Sequence, residues 1–162
     1  MTLEIIPLAP TIGAEVCDVD LLQPMDPDTA QSLQSAWHDH ILLLFRNQVL
    51  SDNALKRSAA WLGTPSDITM PTDRRGDDDL AIALVSNILD EAGRPIGALG
   101  DGEMWFHHDN SFTPNPDIAT FLYSVELPST GGNTLFGNGY CAYEALPQRL
   151  RDAIRGRRVL QV

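Results

Sequence analysis

The sequence predicts a mixed, mainly β fold with flanking helices, and three observations carry that prediction. Ile118 to Glu126 alternates, with Ala119, Phe121, Tyr123 and Val125 on one face and Ile118, Thr120, Leu122 and Ser124 on the other. A period of two is the pattern of a half-buried strand. Ile41-Leu42-Leu43-Leu44-Phe45 is a continuous apolar run. It is too short for most helices and suits a strand buried on both faces. Two helix starts, Asp26-Pro27 and Ser51, each precede apolar residues at helical spacing.

In chain order, Leu3 to Val19 carries short apolar runs broken by Pro7, Pro10 and Gly13, which reads as one or two short strands. Asp26 is an N-cap and Pro27 a first helical residue. Ala30, Leu33, Trp37, His40 and Ile41 then recur at helical spacing as a buried stripe. His38 and His40 fall in this helix without a ligand-type partner four residues on, so they read as structural or exposed. The apolar run to Phe45 ends in Arg46. Ser51 opens a second helix through Leu62, with Leu55, Ala59 and Leu62 on one side, and Gly63 and Pro65 stop it.

Pro65 to Asp79 reads as a solvated loop with an acidic run, Asp77-Asp78-Asp79. A loop of this kind can also lie over a site and select substrate. Leu80 to Val85 reads as a strand and Asp90-Glu91-Ala92-Gly93 as a turn. After the alternating strand comes a turn-rich loop, Leu127 to Asn133, and Thr134-Leu135-Phe136 starts another strand. Asn138 caps a short helix, and Pro147 opens a second one with Leu150 and Ile154 inward and Gly156 as its stop. Arg149, Arg151, Arg155, Arg157 and Arg158 read as a solvated face. Val159 to Val162 reads as the beginning of a strand.

The chain has 162 residues and a net charge of -11. The length suits one domain, residues 1–162. The acidic balance argues against nucleic acid and against an anionic membrane surface. A small anionic substrate stays open, because one arginine can reverse the field inside a pocket. No apolar run reaches the length of a membrane span. Met1-Thr2-Leu3-Glu4 lacks a basic region and a signal core. Cys17 and Cys141 stand alone without motif spacing, which suits a reducing, cytoplasmic setting.

Chemistry concentrates in Met104-Trp105-Phe106-His107-His108-Asp109-Asn110-Ser111-Phe112, which holds two of the four histidines. In an extended strand, i and i+2 share a face. His107 and Asp109 would then point together, and His108 and Asn110 to the other side. One imidazole and one carboxylate make two-thirds of the 2-His-1-carboxylate set of non-haem Fe(II) oxygenases. The bland alternative is a half-buried strand end with a surface histidine and a turn-forming aspartate. Trp105, Phe106 and Phe112 flank the pair and suit a dry site. Gly97 to Gly102 precedes it, and Pro114 and Pro116 close it.

Three stretches together resemble the taurine / 2,4-dichlorophenoxyacetate dioxygenase (TauD/TfdA) family of Fe(II)- and 2-oxoglutarate-dependent oxygenases. His40 to Gln48 is similar to its apolar strand ending in Phe-Arg-x-Gln. Phe106 to Phe112 is similar to its Trp-His-x-Asp-x-(Thr/Ser)-Phe metal motif. Leu127 to Phe136 is similar to its Pro-Ser-x-Gly-Gly-x-Thr loop. The resemblance implies a double-stranded β-helix (jelly roll) with helices outside it, of which this chain would encode a truncated, N-terminal portion.

By position, His107 and Asp109 match the first two iron ligands and catalytic residues. Thr134 matches the threonine that binds 2-oxoglutarate. The implied cofactor is Fe(II), with 2-oxoglutarate as cosubstrate. The implied partners are dioxygen and a small organic substrate, with a carboxylate as one candidate class and a homo-oligomer as one candidate state. The implied reaction releases succinate and CO2. Phe106 stands where the family has tryptophan. The family's second iron histidine and its 2-oxoglutarate arginine lie further along than Val162, and no histidine follows His108. Its taurine-site histidine has no match around Ile68 to Pro71. The rival readings are an inactive remnant and a cupin-like metal or ligand binder.

Overall fold

Glu4–Pro7 forms strand β1 and Ala14–Cys17 forms β2. They pair antiparallel, with Ile5 opposite Val16. The two short strands expected between Leu3 and Val19 are therefore present. Asp26 caps helix α1, Pro27–His40, and Pro27 sits in its first turn. The chain then returns to the sheet as β3, Leu43–Leu44, parallel to β2. The sheet order is β1-β2-β3, a small mixed sheet. The computed structural model describes residues 3–66, 81–97 and 104–159.

The strand expected over Ile41 to Phe45 shrinks to its two central residues. Ile41 is the reason: it ends α1 with φ +69, and its amide bonds Trp37 O at 2.6 Å. The apolar run begins inside the helix exit, and all five residues are half-buried rather than covered on both faces. In α1, Leu33 is fully buried as expected, but its buried partner is Ala36. Ala30, Trp37 and His40 are half-buried. His38 is exposed, and its ring lies 5.2 Å from that of Trp37.

Phe45-Arg46-Asn47-Gln48 ties the sheet edge together. Arg46 Nε pairs with Glu15 Oε2 at 3.0 Å. Gln48 Nε2 donates to Val19 O at 2.9 Å and to Arg46 O at 3.0 Å. Gln48 O in turn accepts the Tyr123 hydroxyl at 3.4 Å, a long contact that places Tyr123 beside the sheet edge.

That stretch is not a strand. Ala119, Phe121 and Tyr123 are half-buried while Ile118, Thr120 and Leu122 are exposed, so the period-two reading of the faces is right. A ladder needs a partner strand, and the described residues of this stretch are not assigned to one. Val125 breaks the pattern at 87% exposed. Thr134-Leu135-Phe136 and the described residues 81–85 likewise form no strand element.

The chain divides into two compact units. One comprises Met1–Asp20, Met25–Gln48 and Phe106–Val162; the other comprises Leu21–Pro24 and Val49–Trp105. In the second unit, α2 spans Asp52–Ala59 with Ser51 as N-cap, its Oγ accepting from Ala54 N at 3.3 Å. Ala54 and Ser58 are its buried residues, a face rotated from the expected Leu55 and Ala59. The turn at Asp90 to Gly93 is present. Asp90 Oδ1 accepts from Ala92 N and Arg94 N, and Oδ2 accepts from Arg94 Nε. The bonds from the Arg94 amide and side chain, then that from the Ala92 amide, hold this carboxyl below its ordinary value.

In the first unit, Asn138 caps α3, Gly139–Glu144, and α4 runs Gln148–Ile154. Leu150 and Ile154 are not inward: both remain more than a third exposed. Most of the loop expected over 65–79, residues 98–102 of the glycine-bearing approach, and residues 160–162 lie outside the described residues.

Asp26 supplies a pH test of α1. Its Oδ1 accepts from Asp28 N at 3.1 Å and Thr29 N at 3.0 Å, and Oδ2 accepts from Thr29 Oγ1 at 2.6 Å. The Thr29 hydroxyl, then its amide, hold the Asp26 carboxyl below its ordinary value of 3.8. A folded pKa below the unfolded one stabilises the fold above the unfolded value, and this is lost as pH falls through the folded one. Helicity by circular dichroism should therefore decline below about pH 4. Asp26→Ala should lower helicity at neutral pH and remove that component of the acid transition.

Candidate metal centre

The His107–Asp109 pair is made by a turn, not by a strand. Asp109 and Asn110 form the turn, and Asn110 takes φ +50. Thr113 closes it, its amide donating to Asn110 O at 3.0 Å and its hydroxyl at 2.9 Å. Asn110 Nδ2 donates to Asp117 Oδ2 and pins the far side of the loop. Asparagine is among the residues that best tolerate the left-handed region, which is why the reversal falls there.

The expected strand register is thus corrected, yet its chemical consequence survives. His107 Nε2 lies 3.0 Å from Asp109 Oδ1. The other oxygen, Oδ2, accepts the Thr120 hydroxyl at 2.8 Å. His108 Nδ1–H donates to the Asp109 backbone carbonyl at 2.9 Å, so it braces the aspartate from behind without joining the pair.

The pair is open. The side chains of His107 and Asp109 are about half exposed, at 50% and 47%. Exposed ion pairs contribute little to stability, so the turn holds this pair rather than the reverse. The aromatic flank does not make a dry site: Trp105 is 92% exposed and Phe106 75%. Phe112 is exposed as well. A ring excludes water only when something packs over it.

Thr134, the third expected site residue, is exposed on the irregular segment after the Gly131-Gly132 turn. Gly131 and Gly132 take φ +75 and +66, and a Cβ on Gly132 would meet Pro128 Cγ at 2.9 Å. Positive φ favours glycine at both positions, and at Gly132 a Cβ would also have to displace Pro128. The structure brings His107 and Asp109 together and leaves Thr134 on its own stretch.

The donor set fits a divalent first-row metal. Imidazole nitrogen and carboxylate oxygen bind such ions at about 2.1 Å, which places two adjacent octahedral positions about 3.0 Å apart. The Nε2 to Oδ1 separation is that of a direct hydrogen bond and is also compatible with that edge. Among the described residues, no third His, Cys, Asp or Glu joins the two. Thr120 escaped the sequence reading. The alternation placed it on the outward face, but nothing in the sequence places that face against Asp109.

A model of the taurine catabolism dioxygenase TauD, TfdA family matches residues 4–162, through both units of the chain. The chain belongs to that family. Pentalenolactone F synthase of Streptomyces avermitilis is 38% identical over 151 residues, which cover 91% of this chain and 48% of that relative. The alpha-ketoglutarate-dependent sulfate ester dioxygenase of Pseudomonas putida is 31% identical over 153 residues, covering 94% and 47%. This TauD/TfdA chain spans about half the length of the curated relatives it matches. A Burkholderia xenovorans structure, named as a candidate alpha-ketoglutarate-dependent taurine dioxygenase, superposes with a TM-score of 0.74 at 23% identity. It covers 96% of this chain and 52% of that one, and the likeness shows the fold alone.

Proposed function

We propose that these residues form the N-terminal portion of an Fe(II)- and 2-oxoglutarate-dependent dioxygenase that oxidises a small organic molecule. The observation that carries this is the 3.0 Å approach of His107 Nε2 to Asp109 Oδ1 within a family match running over residues 4–162. In this reading residues 1–162 belong to one dioxygenase domain of a jelly roll. The reading includes a cytoplasmic setting, which the two isolated cysteines suit, with a carboxylate as one candidate substrate class and a homo-oligomer as one candidate assembly.

Once bound, Fe(II) and 2-oxoglutarate supply the oxidative chemistry, with release of succinate and CO2. The chain supplies position and charge. His107 offers one neutral nitrogen and Asp109 one negative oxygen, which leaves other coordination positions open. Thr134 offers a hydroxyl donor to a carboxylate of the cosubstrate, a charge-assisted bond. The resemblance puts a third ligand and the 2-oxoglutarate arginine in the half of the relatives that these 162 residues do not span. The test is succinate release in a polypeptide extended to the relatives' length, after anaerobic loading with Fe(II) and 2-oxoglutarate and exposure to oxygen. No succinate above a metal-free control would end this reading. A one-to-one iron content without succinate would favour the binder without turnover, and neither iron nor succinate would favour the inactive remnant.

Thr134→Val keeps the shape and removes the hydroxyl. Losing one hydrogen bond to a charged group costs about 1.5–3 kcal/mol, roughly ten- to a hundred-fold in affinity. The half-saturation for 2-oxoglutarate should rise by that factor. An unchanged value removes Thr134 from the site.

A further inference from the structure

We infer that Thr120 is a positioning residue that reserves one oxygen of Asp109 and so makes the aspartate a one-oxygen metal ligand. The inference rests on the reading of His107 and Asp109 as ligands. It goes beyond that reading in naming what fixes the carboxylate's coordination mode.

The two oxygens of Asp109 have different neighbours. Oδ1 faces His107 Nε2 at 3.0 Å. Oδ2 accepts the Thr120 hydroxyl at 2.8 Å, from a residue eleven positions along the chain. A carboxylate can bind a metal through one oxygen or both. Binding through both consumes a further coordination position, one that substrate, cosubstrate or dioxygen would otherwise use. An O–H held on Oδ2 lowers the electron density available there and fixes the plane of the carboxylate. It leaves Oδ1 as the better donor on the side where His107 stands.

Thr120 is itself held in place. Its neighbours Ala119, Phe121 and Tyr123 are half-buried, and Tyr123 is anchored by its hydroxyl to Gln48 O at 3.4 Å. The loop between Asp109 and Thr120 is closed by the Asn110–Asp117 hydrogen bond and by Thr113. The hydroxyl therefore meets Asp109 from a stretch whose alternate residues Ala119, Phe121 and Tyr123 are half-buried. The path runs from Arg46–Gln48 through Tyr123 to Thr120 and then to the carboxylate.

The test uses the polypeptide extended to the relatives' length, with anaerobic Fe(II) titration against a competing chelator and the visible absorption of bound Co(II), which responds to coordination number. Partners behind a metal ligand are typically worth about ten- to a hundred-fold in metal affinity. Thr120→Val should weaken Fe(II) binding by about tenfold or more and should change the Co(II) spectrum. Thr120→Ser, which keeps the hydroxyl, should restore both. Circular dichroism of the two variants separates these effects from unfolding, and Thr120 is exposed, so the fold does not need its side chain. A Thr120→Val protein with wild-type affinity and spectrum would overturn the inference while leaving the ligands in place. If Asp109→Ala also bound Fe(II) like wild type, the metal reading itself would fall, and Thr120 with it.

Discussion

Replacing His107 or Asp109 by alanine should abolish iron-dependent turnover in a protein of the relatives' length and weaken Fe(II) binding by more than about a hundred-fold. That figure exceeds the range for groups that merely sit behind a ligand. Each substitution removes one of the two atoms that stand 3.0 Å apart. His108→Ala is the control. His108 touches Asp109 only at the backbone carbonyl, 2.9 Å from its Nδ1. Its loss loosens the turn but removes no ligand atom, so affinity should fall by about tenfold at most. The measurement is iron content after anaerobic loading and desalting, with turnover alongside. If His108→Ala lost the metal and His107→Ala kept it, the assignment of the pair would be wrong.

The 162-residue polypeptide by itself should self-associate and make no succinate. Phe106, Val125, Leu127, Leu135 and Tyr140 of the first unit are each at least 70% exposed. Isolated exposed apolar residues are ordinary, but large contiguous patches mark surfaces that meet another protein. The buried apolar residues among the described residues of that unit are few: Ala14, Val16, Leu33 and Ala36. The two-residue strand β3 is an edge of the described sheet, and an edge strand can recruit another strand. If His107 and Asp109 are the ligands proposed, two of them hold Fe(II) less firmly than three would. Sizing chromatography over a range of concentrations, beside the succinate assay, tests both halves of this expectation. A monomer that produces succinate would overturn it, and His38 and His40 would then be the histidines to examine as a third ligand.

The sequence by itself determined the punctuation of this protein and the identity of its chemical pair. Asp26, Ser51 and Asn138 cap helices as read, because a short side-chain oxygen before a helix satisfies amides that nothing else reaches. The turn at Asp90 to Gly93 follows from the same local chemistry. His107 and Asp109 meet because they are two residues apart and a turn follows them. Local spacing brought them together even though the strand expected to do so is absent. The alternation from Ala119 to Tyr123 was legible too, since it records which side faces the core.

Only the tertiary structure decided what those faces meet. A strand is a relation between two segments, so the pattern at Ile118 to Glu126 could announce a face but not a partner. The short sheet β1-β2-β3, the rotation of the buried face of α2 to Ala54 and Ser58, and the exposure of Trp105 and Phe106 all depend on neighbours distant in the chain. Thr120 belongs to this class. Its hydroxyl acquires a role from Asp109, eleven residues away, and from the long Tyr123–Gln48 contact that places Tyr123 beside the sheet edge. Long-range hydrogen bonds of this kind leave no period in the sequence, because geometry rather than spacing selects their partners.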